Sequence, residues 1–448
     1  MKATDVREVF ETILPDHLLM PLVMKTGFQE RERKLDAILF VRSMVMSAAS
    51  PYGGRQATVM RYYFENGAEN VVRGSFYRWF NPALEKVMSK ISKTALEYVR
   101  KQPVDLPGIL GKYVLDWHIV DSTTIHLEDK LMSIYRGCGN YAAMKVHKRF
   151  SVGIGTTVGY HFSPAKEHDG PHLKIDESWR GLGLLADLGY ASFGLLKDCN
   201  QHGVHYVLRL KDNWVPKVDF IAQGELSKTF LKGTDLDLLI KVDGLKLDGK
   251  PVDMDVHFGK NAEVKCRLVG VQARNGSYRF YLTSLPREVS CQQVSDMYRV
   301  RWEIEADNKL DKSCSQMDFV DCKNVHALHA LIYASLVSPM IACLIAHHHR
   351  LKETRPKRGE TERKVAPIHP QVLARMIGSM SMTIAGAMDL RGEEAELKWE
   401  FITKTLEHMG KDPNWRRSPS ILDQLRGWKV HPGKPKLQKM PVSCAENA

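Results

Sequence analysis

The chain has 448 residues, of which 44% are hydrophobic and 26% charged. That excludes a peptide, a mainly disordered chain or a membrane-embedded one, and is enough for about three domains of ~150 residues. Sixty-four Lys and Arg against 52 Asp and Glu leave +12, an excess suited to a polyanionic partner, nucleic acid first.

The balance is +4 over residues 1–110, +1 over 111–340 and +7 over 341–448, so the positive charge sits at the two ends. Eight cysteines without CxxC spacing point to a reducing cytoplasm rather than a disulfide framework. The N-terminal MKATDVREVFETILPDHLLM lacks an uninterrupted apolar signal core. The longest uncharged apolar stretch, Leu331 to Ala346, is too short to span a bilayer and reads as a buried core helix, so no membrane partner is expected.

In chain order, apolar residues recur at helical spacing to about Lys101, broken by PYGG at 51–54. Pro103, Pro107, Gly108 and Gly111 then punctuate the chain, placing a boundary near residue 108. Strand-like runs follow: YVLDWHIVDSTTI at 113–125 and RFSVGIGTTVGYHF at 149–162. An apolar run ending at Asp187, a helix-length segment and VHYVLRL then imply an α/β sheet. Residues 212–286 read as short strands with Gly turns, a β-rich insertion. Helical pattern resumes from Ser290 to Lys312 and from Val325 to His348; RLKETRPKRGETERKVAP at 350–367 reads as a linker and HPGKPKLQKMPVSCAENA as a polar tail.

The segment that carries chemistry is YRVRWEIEADNKLDK, residues 298–312. At about 100° per residue on a helix, Tyr298, Arg301, Glu305, Lys309 and Lys312 share one face, and Glu303, Asp307 and Asp311 fall elsewhere. Such a stripe can hold a cation at its acid and phosphates at its bases. One carboxylate seldom makes a phosphoryl-transfer site, and two more candidates end strand-like runs: Asp121 before Ser-Thr-Thr and Asp187 before Leu-Gly-Tyr. Taken singly, Asp121 could be a turn acid and Asp187 a helix cap.

These blocks resemble the DDE transposases of bacterial insertion sequences, specifically the insertion-sequence-four group with its YREK signature. Tyr298, Arg301, Glu305 and Lys312 match that signature at every position, with DSTT at 121–124 and DLGY at 187–190 as the other blocks. The resemblance covers roughly residues 110–345. It implies an α/β, ribonuclease-H-like core interrupted by a β-rich insertion and flanked by helical regions. The expected division is 1–108 for DNA-end binding, 109–211 and 287–349 for the core, 212–286 for the insertion, and 350–448 as a C-terminal helical region with possible dimer contacts.

It further implies that Asp121, Asp187 and Glu305 are catalytic and hold two Mg²⁺ or Mn²⁺ ions. Tyr298, Arg301 and Lys312 would grip phosphates of double-stranded DNA, at the terminal inverted repeats and the target, in a synaptic homodimer at the bacterial nucleoid. Cleavage and strand transfer would pass through a DNA hairpin. The departure is Arg279, where relatives carry a base-stacking Trp; Tyr278, Phe280 and Tyr281 flank it. Lys145 and His147, on alternate residues of a strand near Asp121, could touch DNA or serve structure.

Cys314, Cys322, His326 and His329 are a poor match to zinc-finger spacing. Trp117, Trp179 and Trp302 read as core. The rival functions are a ribonuclease-H-like DNA nuclease without strand transfer, and a catalytically silent DNA-binding descendant.

Overall fold

The computed structural model describes residues 1–29, 35–50, 52–227, 229–241, 244–259, 261–273, 275–320, 322–352, 366–415 and 419–429. Most of the expected linker and the tail from 430 onward lie outside these residues.

Six helices come first: α1 (Ala3–Ile13), α2 (Asp16–Lys25), α3 (Ala37–Ala48), α4 (Gln56–Glu65), α5 (Arg73–Arg78) and α6 (Pro82–Arg100). The start of α6 is written in the sequence, since Asn81 Oδ1 accepts from the Ala83 and Leu84 amides and Pro82 occupies the first turn. Strands β1 (Asp116–His126), β2 (Ala143–Ser151), β3 (Thr156–Pro164), β4 (Leu182–Ala186) and β5 (His205–Arg209) follow, with α7 (Phe193–His202) between the last two.

The insertion holds β6 (Lys217–Gln223), β7 (Glu225–Leu226), β8 (Thr234–Asp235), α8 (Leu236–Lys241), β9 (Leu245–Lys246), β10 (Val252–Phe258), β11 (Val264–Gln272) and β12 (Tyr278–Thr283). Helices α9 (Cys291–Arg299), α10 (Trp302–Ser313), α11 (Val325–Lys352), α12 (Pro370–Ser379), α13 (Ser381–Asp389), α14 (Gly392–Met409) and α15 (Ile421–Leu425) complete the chain.

The sheet runs β3-β2-β1-β4-β5, with β1, β2 and β3 antiparallel and β1, β4 and β5 parallel, the ribonuclease-H-like order. The insertion continues this sheet: β12 pairs antiparallel with β5, and β11, β10, β6 and β8 follow, making ten strands. Strand alternation sorts side chains to two faces. Trp117 and Ile119 of β1, Leu185 of β4, Val207 of β5 and Tyr281 of β12 share a core with α9 and α10, whereas Val120, Leu184, Tyr206 and Leu282 face α7 and the insertion. Gly183, opposite Trp117 in the β1–β4 register, leaves room for the indole; a Cβ there would lie 2.4 Å from the ring.

Helices α1–α4, α6 and α11–α14 share one core that also takes Ile125, Met144, Val146 and Val158 from the sheet. The N-terminal helices and α12–α14 therefore pack as one body around α11. This helix contains the Leu331–Ala346 run; by length and composition it could cross a membrane, but 89% of its most apolar window is buried inside the protein. Trp117 and Trp179 are buried as expected. Trp302 is not: it is 61% exposed at the start of α10, a correction to the core assignment.

Candidate active site

In the parallel β1–β4 pair Val120 stands beside Ala186, so Asp121 and Asp187 occupy the next level of adjacent strands, about 4.8 Å apart in backbone spacing. Their parity is that of Ile119 and Leu185, which puts both acids on the face covered by α9 and α10. Glu305 lies on α10. The three are electrostatically coupled: the Asp121 carboxyl is pushed up to about 6 by burial, then by the charges of Asp187 and Glu305, against the Ser122 amide and Arg301 that favour its ionised form. The three sequence-predicted acids are thus brought together.

Asn308 donates Nδ2 to Asp121 Oδ2 at 3.1 Å. The Arg301 guanidinium pairs with Glu305 Oε1 at 2.9 Å and lies 5.8 Å from the Tyr298 ring centroid. Burial works against the charge on Arg301, but Tyr298, Asp187 and Glu305 more than offset it and keep it charged. Lys312 Nζ donates to the Thr124 carbonyl at 3.0 Å and pairs with Asp318 at 3.3 Å, tying α10 to the end of β1. Lys309 is exposed.

One expectation needs correction. The segment 298–312 is two helices, not one, because α9 ends at Arg299 and the chain tightens into i→i+3 hydrogen bonds, Arg301 N to Tyr298 O at 3.0 Å and Glu303 N to Val300 O at 2.9 Å. The signature residues still meet, since the turn keeps right-handed helical backbone angles at Val300 and Arg301.

Sequence reading missed what anchors α10. Lys148, opposite Asp121 in the β1–β2 register, is buried and ion-paired to both Asp307 and Asp311, the latter at 2.7 Å, and Thr157 donates to Asp307 at 2.9 Å. Two of the three acids rotated away from the stripe, Asp307 and Asp311, thus fasten the Glu305 helix to the strand beside Asp121.

The structure engages several of the other expected residues with protein partners. His147 is 3% exposed, so its ring has no surface to present to a duplex. Lys145 donates to the Glu167 carbonyl at 2.7 Å and pairs with Asp169 at 3.0 Å. Arg279 is exposed on β12, but Tyr278 hydrogen-bonds the 249–250 turn, Phe280 packs on the α7-side core and Tyr281 is buried against Tyr298, with ring centroids 5.2 Å apart. His326 and His329 both bind Glu85, at 2.5 and 2.7 Å, rather than gathering with Cys314 and Cys322.

A ribonuclease-H-like sheet carrying an Asp-Asp-Glu cluster defines a class of phosphoryl-transfer enzymes. Residues 117–338 match the family model for the Transposase DDE domain. The chain is similar to the transposases for insertion sequence elements IS231C and IS231B of Bacillus thuringiensis subsp. berliner, 23% identical over 391 and 397 residues, covering 75% of this chain and 78% and 79% of those proteins. It is also 21% identical over 272 residues to the transposase for insertion sequence element IS1151 of Clostridium perfringens, covering 51% of this chain and 56% of that protein. A structure of piggyBac transposase in a synaptic complex with hairpin DNA aligns over 92% of this chain and 86% of that one at a TM-score of 0.44 and 10% identity, a likeness that decides nothing here. The chain belongs to the DDE transposases of insertion sequences and is an enzyme.

Proposed function

We propose that the chain cuts DNA at the ends of an insertion sequence and joins the released 3′-hydroxyl to target DNA, using Asp121, Asp187 and Glu305 as the site. The observation that supports this reading is the placement of Asp121, a part-buried carboxyl at the level of Asp187 on the neighbouring strand and hydrogen-bonded by Asn308 of the Glu305 helix. That donor set of hard oxygens fits Mg²⁺ or Mn²⁺, with Asp121, Asp187 and Glu305 as the residues that would hold two ions. When bound, such ions supply activation of the attacking oxygen and stabilisation of the leaving one in an in-line displacement at phosphorus.

The chain's own groups position the rest. Asn308 orients Asp121 through its 3.1 Å hydrogen bond. Arg301 holds Glu305 and, kept charged by its neighbours, faces the phosphate side with Tyr298 beneath it. The carboxylate beside Lys312, Asp318, is part-exposed, and Lys312 can exchange it for a DNA phosphate.

The reading includes a synaptic homodimer with one site per DNA end, acting in the bacterial cytoplasm on the nucleoid. The helical body containing residues 1–108 would bind the ends, with the helices after α11 adding dimer or DNA contacts. A hairpin step would have to flip its base against Arg279 or an aromatic outside β12, since the three flanking aromatics of that strand are engaged.

The test is cleavage of a labelled duplex carrying the native ends by wild type and Glu305→Gln. The variant should lose cleavage and keep end binding, and cleavage at the wild-type rate in Mg²⁺ would remove Glu305 from the site. Cleavage by wild type without joined product would favour the nuclease.

A further inference from the structure

On the opposite face of the sheet from the three carboxylates, β2 and β3 bring His147 and His161 into direct cross-strand register. His172, in the turn Gly170–His172, folds back onto the pair. The His147 ring centroid lies 4.6 Å from that of His161 and 4.1 Å from that of His172. One nitrogen from each ring lies within 4.8 Å of the other two.

The hydrogen bonds around the rings determine which nitrogens are free. Ser163 Oγ donates to the Pro164 carbonyl at 3.4 Å and so accepts at 2.8 Å from His147 Nε2, which places the His147 proton on Nε2. Its Nδ1 is then a bare lone pair, buried and without a hydrogen-bond partner. Glu167 Oε2 lies 3.0 Å from His172 Nε2 and fixes that ring the same way, leaving Nδ1 to face His161 Nε2 at 3.1 Å. A tetrahedral ion with nitrogens about 2.0–2.1 Å away needs nitrogen–nitrogen separations of about 3.3 Å, and the His161–His172 pair already stands near that.

We propose that His147, His161 and His172 form a binding site for a late first-row transition ion of the zinc class, separate from the Asp-Asp-Glu site. Imidazole donors select Zn²⁺, Co²⁺ or Ni²⁺ over Mg²⁺, as the carboxylates do not. Ser163 and Glu167 serve as the partners that orient two ligands through their second nitrogens. Asp169 Oδ1, 3.9 Å from His147 Nδ1, stands at the remaining side. His161 is exposed and His172 half-buried, so the site opens to solvent and can be loaded in the folded protein.

Loading would rotate the stacked rings so that their lone pairs converge and would pin the 164–172 segment to β2 and β3. That segment touches the active-site strand from behind, since Asp169 accepts from Ser122 Oγ at 2.7 Å.

The experiment titrates Co²⁺ into the full-length, metal-stripped protein and reads the visible ligand-field absorption, then Zn²⁺ competition and the thermal midpoint. The expected result is one equivalent of tetrahedral-type absorption, displaced by Zn²⁺, and a raised midpoint. The absorption should be unchanged in Glu305→Gln and lost in His161→Asn and His172→Asn. Glu167→Gln should weaken binding by about ten- to a hundredfold. His161 is exposed, so its variant keeps the wild-type fold, to be confirmed by circular dichroism. Absence of the absorption in wild type, its persistence in both histidine variants, or its loss in Glu305→Gln would overturn the proposal.

Discussion

Replacing Lys148 by Met isolates the tie that holds the Glu305 helix in place. The Lys148 side chain is 1% exposed and the Asp307 and Asp311 side chains it bridges are 5% and 3% exposed. The substitution keeps the volume and removes a cation that faces two buried carboxylates. Breaking a buried pair from one side costs about 3–5 kcal/mol, because the remaining charge is left unpaired in a medium that solvates it poorly.

The cost should depend on pH with a definite sign. Burial and the neighbouring Asp307 push the Asp311 carboxyl up even with Lys148 present, and removing the lysine charge should push it further above its unfolded value near 3.9. A group whose folded pKa is raised is destabilising where it must ionise, above that pKa, and the penalty fades as pH falls toward the unfolded value. One extra proton taken up on folding is worth about 1.4 kcal/mol per pH unit, so the defect should shrink by about 2–3 kcal/mol between pH 7.5 and 5.5.

Urea unfolding of wild type and Lys148→Met at the two pH values, followed by tryptophan fluorescence, measures this. A defect under about 1 kcal/mol at pH 7.5, or one that grows on acidification, would refute the reasoning. Cleavage activity should fall with the tie, and an Asp307→Leu, Asp311→Leu, Lys148→Met triple variant should recover stability, since an apolar replacement of a whole buried ion group is often neutral.

Lys312→Ala should flatten the salt dependence of DNA binding by about one charge; an unchanged slope would leave Lys312 as the tie to Thr124 alone. Gly183→Ala should destabilise the fold by about 1–3 kcal/mol through overpacking against Trp117, read as a lowered urea midpoint, and a midpoint equal to wild type would contradict the close β1–β4 packing. Glu305→Gln should keep DNA binding within a fewfold of wild type by gel shift while abolishing cleavage, and a parallel loss of binding would assign Glu305 a structural role.

The three acids were legible because each sits at a position that local pattern defines: two at the ends of apolar strands and one at a fixed offset on a helix. Parallel pairing of β1 with β4 then does what any such sheet does with residues at the same level. The break at Val300–Arg301 was not legible, because no Gly or Pro marks it and the helical angles persist through it; only the hydrogen-bond spacing changes. Trp302 is exposed for the same reason, since it opens a new helix rather than lying within a long one.

The extension of the sheet through β12 and the shared core of α1–α6 with α11–α14 depend on contacts between distant segments, which periodicity within a window does not encode. His147 was visible beside Lys145, but its partners His161 and His172 were not, because only the β2–β3 register and the returning 164–172 segment bring them together.

Asp121, Asp187 and Glu305 are proposed as one metal-dependent site for both cutting and joining DNA. That assignment is tested most directly by incubating wild type and Asp121→Asn with a labelled duplex carrying the native ends and a target plasmid, with and without Mg²⁺. Wild type should give Mg²⁺-dependent 3′-hydroxyl release and joined product, and the variant neither. Cleavage and joining by Asp121→Asn at the wild-type rate, or by wild type without any divalent ion, would contradict it.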